Sequence, residues 1–204
     1  MVMTDIELWK GLKREDKAAL EQLFLRYYDD LFRYAVKFCG DETVAEDHIQ
    51  DLFLRIWKRR DNLGQVSGVK TYLWTALRRS LIVYQRNRQQ EAKAYAENEK
   101  EGIHMEFAIE EVIIEREKRS ELREVLKQAL DKLSPRQREI VYLRYYHGMS
   151  YTEVEAITSL NYQTLRNHTH RALKVLESVI RNHTTGVLLT MMFIQLVNVT
   201  SFLP

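Results

Sequence analysis

Apolar residues recur at spacings of three and four along most of this chain, a period that predicts helices. The first predicted helix runs from Asp16 to Phe38, and Gly40 ends it. Asp41 caps a second helix, and a third begins at Val69 after a loop rich in glycine. The inward positions of these helices are Leu20, Leu23, Phe24, Tyr27, Leu31, Tyr34, Ala35 and Phe38, then Ile49, Leu52, Phe53 and Ile56, then Leu73, Leu77, Leu81 and Tyr84.

The second half of the chain has the same period and clearer start signals. An amphipathic helix is predicted over residues 115–129, and Ser134 with Gln137 forms a capping box in front of the next one. Pro135 suits its first position, because the missing N–H would have no partner there. Gly148 is expected to close this helix.

Residues 150–176 contain two short helices on either side of a tight break. Ser150 and Glu153 form a capping box that starts the first helix at Tyr151. The pattern breaks at Ser159, and Asn161 caps the second helix. This arrangement is typical of a helix-turn-helix that places its second helix in a DNA groove.

The second of these helices has two chemically different faces. Its apolar face, which we expect to be buried, comprises Leu165, Thr169, Ala172, Leu173, Leu176 and Ile180. Its polar face comprises Gln163, Arg166, Asn167, His170 and Lys174. Arginine can bond guanine with two hydrogen bonds, and glutamine or asparagine can pair with adenine. The polar face is therefore suited to reading base edges, in addition to attracting phosphate.

Composition supports an all-helical chain in a reducing compartment. The 204 residues include only 7 Gly and 2 Pro, which argues against a fold with many strands and tight turns. Cys39 is the single cysteine, so neither an internal disulfide nor a cysteine-based zinc site can form. No signal-peptide pattern opens the chain, and we expect a cytoplasmic protein.

Charge is segregated along the sequence, although the net charge is only +2. Residues 1–54 hold 7 basic and 12 acidic side chains, residues 55–90 hold 9 and 1, and residues 91–124 hold 6 and 11. The basic third helix mixes cations with aromatic rings that could stack on unpaired bases. These side chains are Lys70, Arg78, Arg79, Arg86 and Arg88, interleaved with Tyr72, Trp74 and Tyr84.

These patterns predict two small helical domains with an acidic linker between them. The expected bounds are 1–90 for the first domain, 91–114 for the linker, 115–183 for the helix-turn-helix domain and 184–204 for an apolar tail. The tail is about the lower limit for a membrane span. We favour instead an additional helix that packs on the second domain or is held by a partner, and a mask over the recognition surface is one hypothesis for it.

Several stretches of the sequence carry a resemblance to one protein family. The strongest are KLSPRQREIVYLRYYHGMSYTEVEAI and TLRNHTHRALKVL, and AEDHIQDLFLRIWKRRD and VKTYLWTALRRSLIVYQR are also similar. Over roughly residues 16–182, the chain resembles the extracytoplasmic-function (ECF) group of bacterial sigma factors. Members of this group are promoter-specificity subunits of RNA polymerase, so the resemblance implies promoter recognition and DNA strand opening.

The resemblance implies three binding faces and further partners. The face for core polymerase would comprise Asp47, Gln50, Asp51, Phe53, Ile56 and Trp57. The face for the minus-ten element would comprise Lys70, Tyr72, Trp74, Arg78, Arg79 and Arg86. The face for the minus-thirty-five element would comprise Gln163, Arg166, Asn167, His170, Arg171 and Lys174. The acidic linker would pass through the polymerase, and an anti-sigma protein is an expected partner because the family commonly has one.

The sequence departs from the family pattern at two places. Where the family often has Asn and Asp four residues apart in the promoter-melting helix, this chain has Arg79 and Val83. Where it usually has Ala, Leu and Gly at the helix-turn-helix crossing, this chain has Glu155, Thr158 and Ser159. A carboxylate at such a crossing requires a partner or a path to solvent. The departures bear on promoter choice and stability.

No pattern in the sequence indicates catalysis or a cofactor. Phosphate-binding glycine loops, paired catalytic carboxylates and nucleophile-plus-base signatures are lacking, and we assign no enzymatic step, cofactor or small-molecule substrate. His168 and His170 lie two apart and would point to different sides of a helix, so a metal site is not expected. Two alternatives to a sigma factor stay open: a polymerase-independent helix-turn-helix regulator, and a membrane-docked or scaffolding interaction module.

Overall fold

The structure, a computed structural model, describes residues 3–95 and 120–181, and every regular element in those ranges is helical. This result confirms the all-helical prediction. The first four helices are α1 (Asp5–Leu12), α2 (Lys17–Cys39), α3 (Glu42–Lys58) and α4 (Val69–Tyr95), with a 3-10 turn at Arg60–Asn62. The others are α5 (Ser120–Asp131), α6 (Pro135–Val141, continuing into a π turn at Tyr142–Tyr146), α7 (Tyr151–Thr158) and α8 (Tyr162–Arg181). The chain divides into two compact units, Met1–His104 and Met105–Pro204.

Both ends of α2 lie where the sequence predicts them. The Asp16 carboxylate accepts hydrogen bonds from the N–H groups of Ala18 and Ala19, at 2.9 and 3.2 Å. Gly40 takes the left-handed conformation, with φ of 72°, and its N–H donates to the Val36 carbonyl. Glycine adopts this conformation without the clash that a Cβ atom causes. The predicted bounds of α2 are therefore confirmed to within one residue.

The core of the first unit forms where α2 packs against α1, α3 and α4. Tyr34 of α2 lies at its centre, with its ring 4.9 Å from that of Trp74 and 5.8 Å from that of Phe38. All three side chains are completely buried. Completely buried aliphatic side chains surround them, namely Leu31, Ala35, Ile49, Leu73, Leu77 and Leu81.

Helix α1 lies ahead of the first helix that the sequence pattern predicted. It begins with a capping box, in which the Thr4 hydroxyl accepts from the Glu7 N–H and the Glu7 carboxylate accepts from the Thr4 N–H. Leu8, Trp9 and Leu12 are buried. The capping pattern is visible in the sequence, but eight residues are too few for periodicity to stand out.

The helices of the second unit start at the predicted caps. The Ser134 hydroxyl accepts from the Gln137 N–H at 3.3 Å, and the Gln137 side chain accepts from the Ser134 N–H at 2.9 Å. Both hydrogen bonds of the Ser150–Glu153 capping box are also present, at 3.2 and 2.7 Å. Each box satisfies helix-end donors that would otherwise lack partners, and both predictions are confirmed.

A long apolar helix surface holds the second unit together. Helices α5, α6 and α7 all pack against α8. One buried cluster joins three of them and comprises Ala129, Leu130, Leu133, Val141, Ala172, Leu176 and Val179. The predicted inward positions Leu165, Thr169, Ala172 and Leu176 are all buried. The side chain of the predicted inward residue Ile180 lies outside the described part of the structure.

Helix α6 widens into the π turn instead of continuing regularly to Gly148. Within this turn Arg144 points inward, is 7% exposed and donates to the Met149 carbonyl. Its guanidinium also lies 4.2 Å from the centre of the Tyr151 ring, in a cation–π arrangement. The turn therefore joins the end of α6 to the first residue of α7.

The structure describes only part of the predicted linker and nothing of the predicted apolar tail. Helix α4 continues to Tyr95, past the predicted start of the linker at position 91. The rest of that linker, residues 115–119 of the predicted helix and the apolar tail at 184–204 lie outside the described residues. Among the helices that are described, none is long and apolar enough to cross a membrane.

Candidate nucleic-acid interface

The helix-turn-helix geometry of the second unit is set by two consecutive helix ends. Helix α7 ends at Ser159, which takes the left-handed conformation with φ of 57° and donates from its N–H to the Glu155 carbonyl at 2.8 Å. The Asn161 side chain then accepts from the Thr164 N–H at 2.8 Å and caps α8. The predicted break and cap are confirmed, and the two helices are joined by three residues.

The unusual residues at this crossing are accommodated in two ways. Thr158 is buried, and its hydroxyl donates to the Val154 carbonyl at 2.6 Å, so the polar group is satisfied within its own helix. Glu155 is half-buried and so keeps access to solvent. The crossing thus tolerates both residues without isolating a buried charge.

The outward face of α8 carries every residue predicted for the minus-thirty-five element. Leu165 and Thr169 face inward, and the Thr169 hydroxyl donates to the Leu165 carbonyl at 2.9 Å. The opposite side chains are all exposed: Gln163, Arg166, Asn167, His170, Arg171 and Lys174. These six positions follow helical spacing, so they form one continuous surface. It combines three cations with two amides and an imidazole, groups that bond phosphates and base edges.

His168 lies at the border of this surface and differs from His170. It is half-buried, whereas His170 is exposed. Burial, and then the nearby guanidinium groups of Arg136 and Arg171, lower the pKa of His168 below its ordinary value. It is therefore neutral at pH 7 and adds no charge to the surface. The described residues contain no cluster of histidine, cysteine and carboxylate side chains able to hold a metal ion.

Arg136, at the start of α6, is a cation near α8 that the sequence analysis did not assign. Its guanidinium donates to the Glu139 carboxylate at 2.9 Å, and Glu139 is only 1% exposed. A buried carboxylate of this kind fixes the position of its partner. No sequence pattern links Arg136 to α8, because the two are brought together only by packing.

Helix α4 exposes only some of the residues predicted for the minus-ten element. Arg79 and Arg86 are exposed, Tyr72 is 37% exposed, and Lys70 is half-buried. Tyr72, Arg79 and Arg86 lie along one side of the helix, whereas Lys70, in its first turn, lies on the opposite side. Their side chains offer cations and one aromatic ring to a nucleic acid strand.

Two of the residues predicted for this face, Trp74 and Arg78, are buried, in contrast to the exposed positions on the helix. Trp74 has no exposed surface and packs against Tyr34, and Arg78 is 4% exposed. Both lie on the side of α4 that faces α2 and α3, along with Leu77 and Leu81. They support the helix from within the core.

Val83 lies on the exposed side of α4, opposite the side that buries Trp74 and Arg78. It is 55% exposed and lies between Arg79 and Arg86 in the helical sequence. An exposed valine offers van der Waals contact and no hydrogen bond. The face predicted for the minus-ten element therefore has an arginine and a valine, Arg79 and Val83, where the resemblance leads one to expect Asn and Asp.

The acidic face of α3 is exposed only in part. Asp47, Gln50 and Asp51 are exposed and Trp57 is half-buried. Phe53 and Ile56, also predicted for this face, are buried, at 5% and 3% exposed. The Phe53 ring instead lies 5.1 Å from that of Phe24, in the core between α2 and α3.

Leu54 supplies the apolar surface that was assigned to these two residues. It is 52% exposed and lies one turn from both Gln50 and Asp51 on α3. The Trp57 ring beside it is covered on one side by the Arg60 guanidinium, 4.9 Å from the ring centre. The face thus has acidic and amide groups around one exposed leucine, and helical spacing alone could have identified Leu54.

Family comparisons match both units of the chain. "Sigma-70 region 2" matches residues 23–91, and "Sigma-70, region 4" matches residues 123–176. The chain is 23% identical over 172 residues to the "ECF RNA polymerase sigma factor SigL" of Mycobacterium tuberculosis, covering 84% of this chain and 94% of that protein. It is 25% identical over 183 residues to the "RNA polymerase sigma-H factor" of Pseudomonas aeruginosa, covering 87% and 94% respectively.

Solved structures show the same helical fold. The sigma factor RpoE of Bartonella quintana, solved with the anti-sigma factor NepR, aligns with a TM-score of 0.59 at 25% identity, over 79% of this chain and 96% of that one. CnrH, solved with the cytosolic domain of CnrY, aligns with a TM-score of 0.58 at 19% identity, over 88% and 99%, and supports the fold alone. The two matched regions, together with the relatives that are named ECF sigma factors, show that the chain belongs to the ECF group of the sigma-70 family.

Proposed function

We propose that this chain is an RNA polymerase sigma factor that recognises promoters and initiates DNA strand opening without performing a chemical step. One observation carries the proposal: the two units match sigma-70 regions 2 and 4, and each exposes a basic face on a helix of its own. A regulator that binds DNA through one helix-turn-helix has no need of the second basic unit.

The second unit is proposed to read the minus-thirty-five element through α8. Arg166 and Asn167 lie in the N-terminal half of the helix, the part that contacts base edges in helix-turn-helix proteins. Arg171 and Lys174 lie further along and are suited to phosphates. Sequence discrimination then rests mainly on Arg166, Asn167 and Gln163, whose groups can form paired hydrogen bonds with bases.

The first unit is proposed to engage the minus-ten element through α4. Tyr72 provides a ring for an unstacked base, and Lys70, Arg79 and Arg86 neutralise the backbone. Val83 lies between Arg79 and Arg86 on the exposed side of α4 and adds apolar contact. Selectivity at this element then depends on stacking and shape more than on an amide or carboxylate at position 79 or 83.

Core polymerase is proposed to bind the acidic face of α3. Asp47, Gln50 and Asp51 supply polar contacts, and Leu54 with the partly covered Trp57 supplies apolar ones. An exposed apolar side chain ringed by polar groups is typical of a protein interface. In this proposal residues 91–114 join the two DNA-binding units within the polymerase, and the protein acts in the cytoplasm, where polymerase is found.

An anti-sigma protein is the further partner that we propose. The Bartonella quintana sigma factor was solved in complex with such a protein, and it aligns with 79% of this chain. A protein that covers the faces of α3 or α8 would compete with polymerase or DNA. Its release would then free the sigma factor to bind both.

A transcription assay with purified components tests the proposal. Full-length protein is added to core polymerase, and transcripts from a genomic promoter library are mapped at their 5′ ends. We expect initiation at a discrete set of promoters that share two elements. Tight, specific DNA binding by the free protein, with no stimulation of core polymerase on any promoter, would favour the polymerase-independent regulator instead.

A further inference from the structure

Helix α1 is firmly anchored on the first unit. The Asp5 carboxylate accepts hydrogen bonds from both Arg26 and Tyr27 of α2. Leu8 and Leu12 have no exposed surface. A Cβ atom added at Gly11 would lie 2.9 Å from the Cβ of Ala19, so the two backbones approach too closely for any larger residue. The helix is therefore built into the fold and does not lie loosely on its surface.

Trp9 connects this anchored helix to the start of α4. Its side chain is 3% exposed, and its indole N–H donates to the Gly64 carbonyl at 3.2 Å, across 55 positions of sequence. Its ring also meets the Tyr72 ring edge to face, with centres 4.9 Å apart. One side chain thus contacts both the loop at residues 59–68 and the aromatic residue that comes after it.

A second contact from the same segment fixes the other end of this loop. Glu15, which follows α1, takes a left-handed conformation with φ of 60°, and its carboxylate pairs with the Arg60 guanidinium. Arg60 also donates to the Trp57 carbonyl at 3.2 Å. The loop between α3 and α4 is therefore held at Arg60 by Glu15 and at Gly64 by Trp9.

We propose that Trp9, assisted by Glu15, is a positioning residue for strand opening, because it holds Tyr72 and the loop before α4 in the geometry that engages an unstacked base. This inference rests on the proposed sigma-factor function. It extends that function to α1, a helix that precedes the family match at residues 23–91.

The physical reason is that a half-exposed ring is normally free to change rotamer. Tyr72 is 37% exposed, and without the edge contact of Trp9 its ring would lose more conformational entropy when a base stacks on it. An edge-to-face pair favours one ring orientation. The hydrogen bond from Trp9 to the Gly64 carbonyl also orients the loop backbone, because a hydrogen bond is directional and apolar packing is not.

Hydrogen exchange of the free full-length protein tests the structural part. Trp9→Phe keeps a buried ring and removes the N–H donor. We expect amides in residues 59–72 to exchange about fivefold faster, the factor that one lost hydrogen bond is worth, with no change in the middle of α3. Glu15→Gln should act at the Arg60 end of the same loop. Unchanged exchange across residues 59–72 in both variants would overturn the proposal.

Two controls separate positioning from a general loss of stability. Ile6→Ala alters an exposed position of α1 and should leave the loop unchanged. Leu31→Ala removes buried volume from α2 and should raise exchange throughout the unit, without singling out the loop. If Trp9→Phe gives the pattern of Leu31→Ala, its role is structural support only and the proposal fails.

Open-complex formation tests the functional part. Holoenzyme with Trp9→Phe is compared with wild type on a promoter found in the transcription assay, as duplex and as a template with an unpaired minus-ten segment. We expect a loss of about fivefold on the duplex and a difference within about twofold on the pre-opened template. Equal losses on both templates would overturn the role in opening.

The outcomes for this inference and for the proposed function can be told apart. If wild-type protein initiates at no promoter, the sigma-factor proposal fails, and the role in strand opening fails with it. Wild-type initiation with equal opening rates for Trp9→Phe would overturn the inference alone.

Discussion

The two helices proposed to contact DNA, α4 and α8, differ in how much of their basic character reaches solvent. All six residues predicted on α8 are exposed, whereas two of the six predicted on α4, Trp74 and Arg78, are buried. Each of these helices packs against three others, so the number of neighbours does not explain the difference. The six residues predicted on α8 share one side at helical spacing, whereas those predicted on α4 are spread around the helix. Basic residues spread around a helix are therefore weaker evidence of a binding surface.

The largest effect that we expect is a loss of stability when Trp74, on the buried side of α4, is replaced. Trp74→Ala leaves a cavity at the centre of the first unit and should lower its free energy of unfolding by about 3–5 kcal/mol. Urea unfolding followed by circular dichroism measures this loss. Arg79→Ala, on the exposed side of the same helix, should change stability by less than about 0.5 kcal/mol. Similar losses for the two variants would contradict the assignment of inner and outer sides of α4.

A large effect on binding with little effect on stability is expected at Arg166. Arg166→Ala should weaken binding of holoenzyme to a cognate minus-thirty-five site by about 1–3 kcal/mol and relax specificity at one base pair. Competition binding with single-base variants of the site measures both changes. Lys174→Ala is the matched control, since loss of a phosphate contact lowers affinity equally for all sequences. Uniform losses for Arg166→Ala would show that it too contacts only phosphate.

A smaller effect is expected at the break between α7 and α8. Ser159 has φ of 57°, a conformation that costs a residue with a Cβ atom about 1–2 kcal/mol. Ser159→Gly removes that strain at some cost in chain entropy, and it should stabilise the second unit by about 0.5 kcal/mol. Thermal unfolding of the full-length protein measures the shift.

The control for this variant lies at Gly148. Gly148 has φ of 61°, and a Cβ atom added there would have open space around it, so Gly148→Ala adds backbone strain without a steric clash. It should destabilise the same unit. Destabilisation by Ser159→Gly would mean that the Ser159 side chain makes a contact worth more than the backbone strain.

The smallest expected effect is the contribution of His168 to the pH dependence of stability. Because burial and two neighbouring arginines lower its pKa in the folded protein, the unfolded chain binds a proton first as pH falls below about 6.5. Stability should therefore decline below that pH, and His168→Gln should remove part of the slope. Unfolding measured from pH 7.5 to 5.5 checks this, with His170→Gln on the exposed face as the control. Equal slopes in wild type and His168→Gln would contradict the assignment.

The sequence predicted the helix ends more reliably than it predicted which side chains are exposed. Ser134, Ser150 and Asn161 cap the helices that they were expected to cap, because a cap depends on residues within one turn. The exposure of Leu54 and the burial of Phe53, its neighbour, depend on where α2 packs. Local chemistry was therefore sufficient for the elements, and tertiary packing decided the faces.

Helix α4 shows why part of the site could not be predicted. Tyr72 and Trp74 are both aromatic and lie two positions apart in a basic helix, so composition cannot tell the surface ring from the core ring. The partners that distinguish them, Trp9 and Tyr34, lie far away in sequence. The short α1 was similarly beyond the reach of periodicity, whereas the glycine-rich loop between α3 and α4 was predicted.

The π turn at the end of α6 determines which of its own side chains face the helix-turn-helix that comes after it. Each residue advances an α-helix by about 100°, so a π turn, which holds about one residue more than a regular turn, places the side chains within it at different angles around the helix. Arg144 consequently points inward onto the Met149 carbonyl and the Tyr151 ring. Removing one residue from Tyr142–Tyr146 would turn this guanidinium outward and uncouple α6 from the helix-turn-helix. The contact between α6 and the start of the helix-turn-helix thus depends on the number of residues in this one turn.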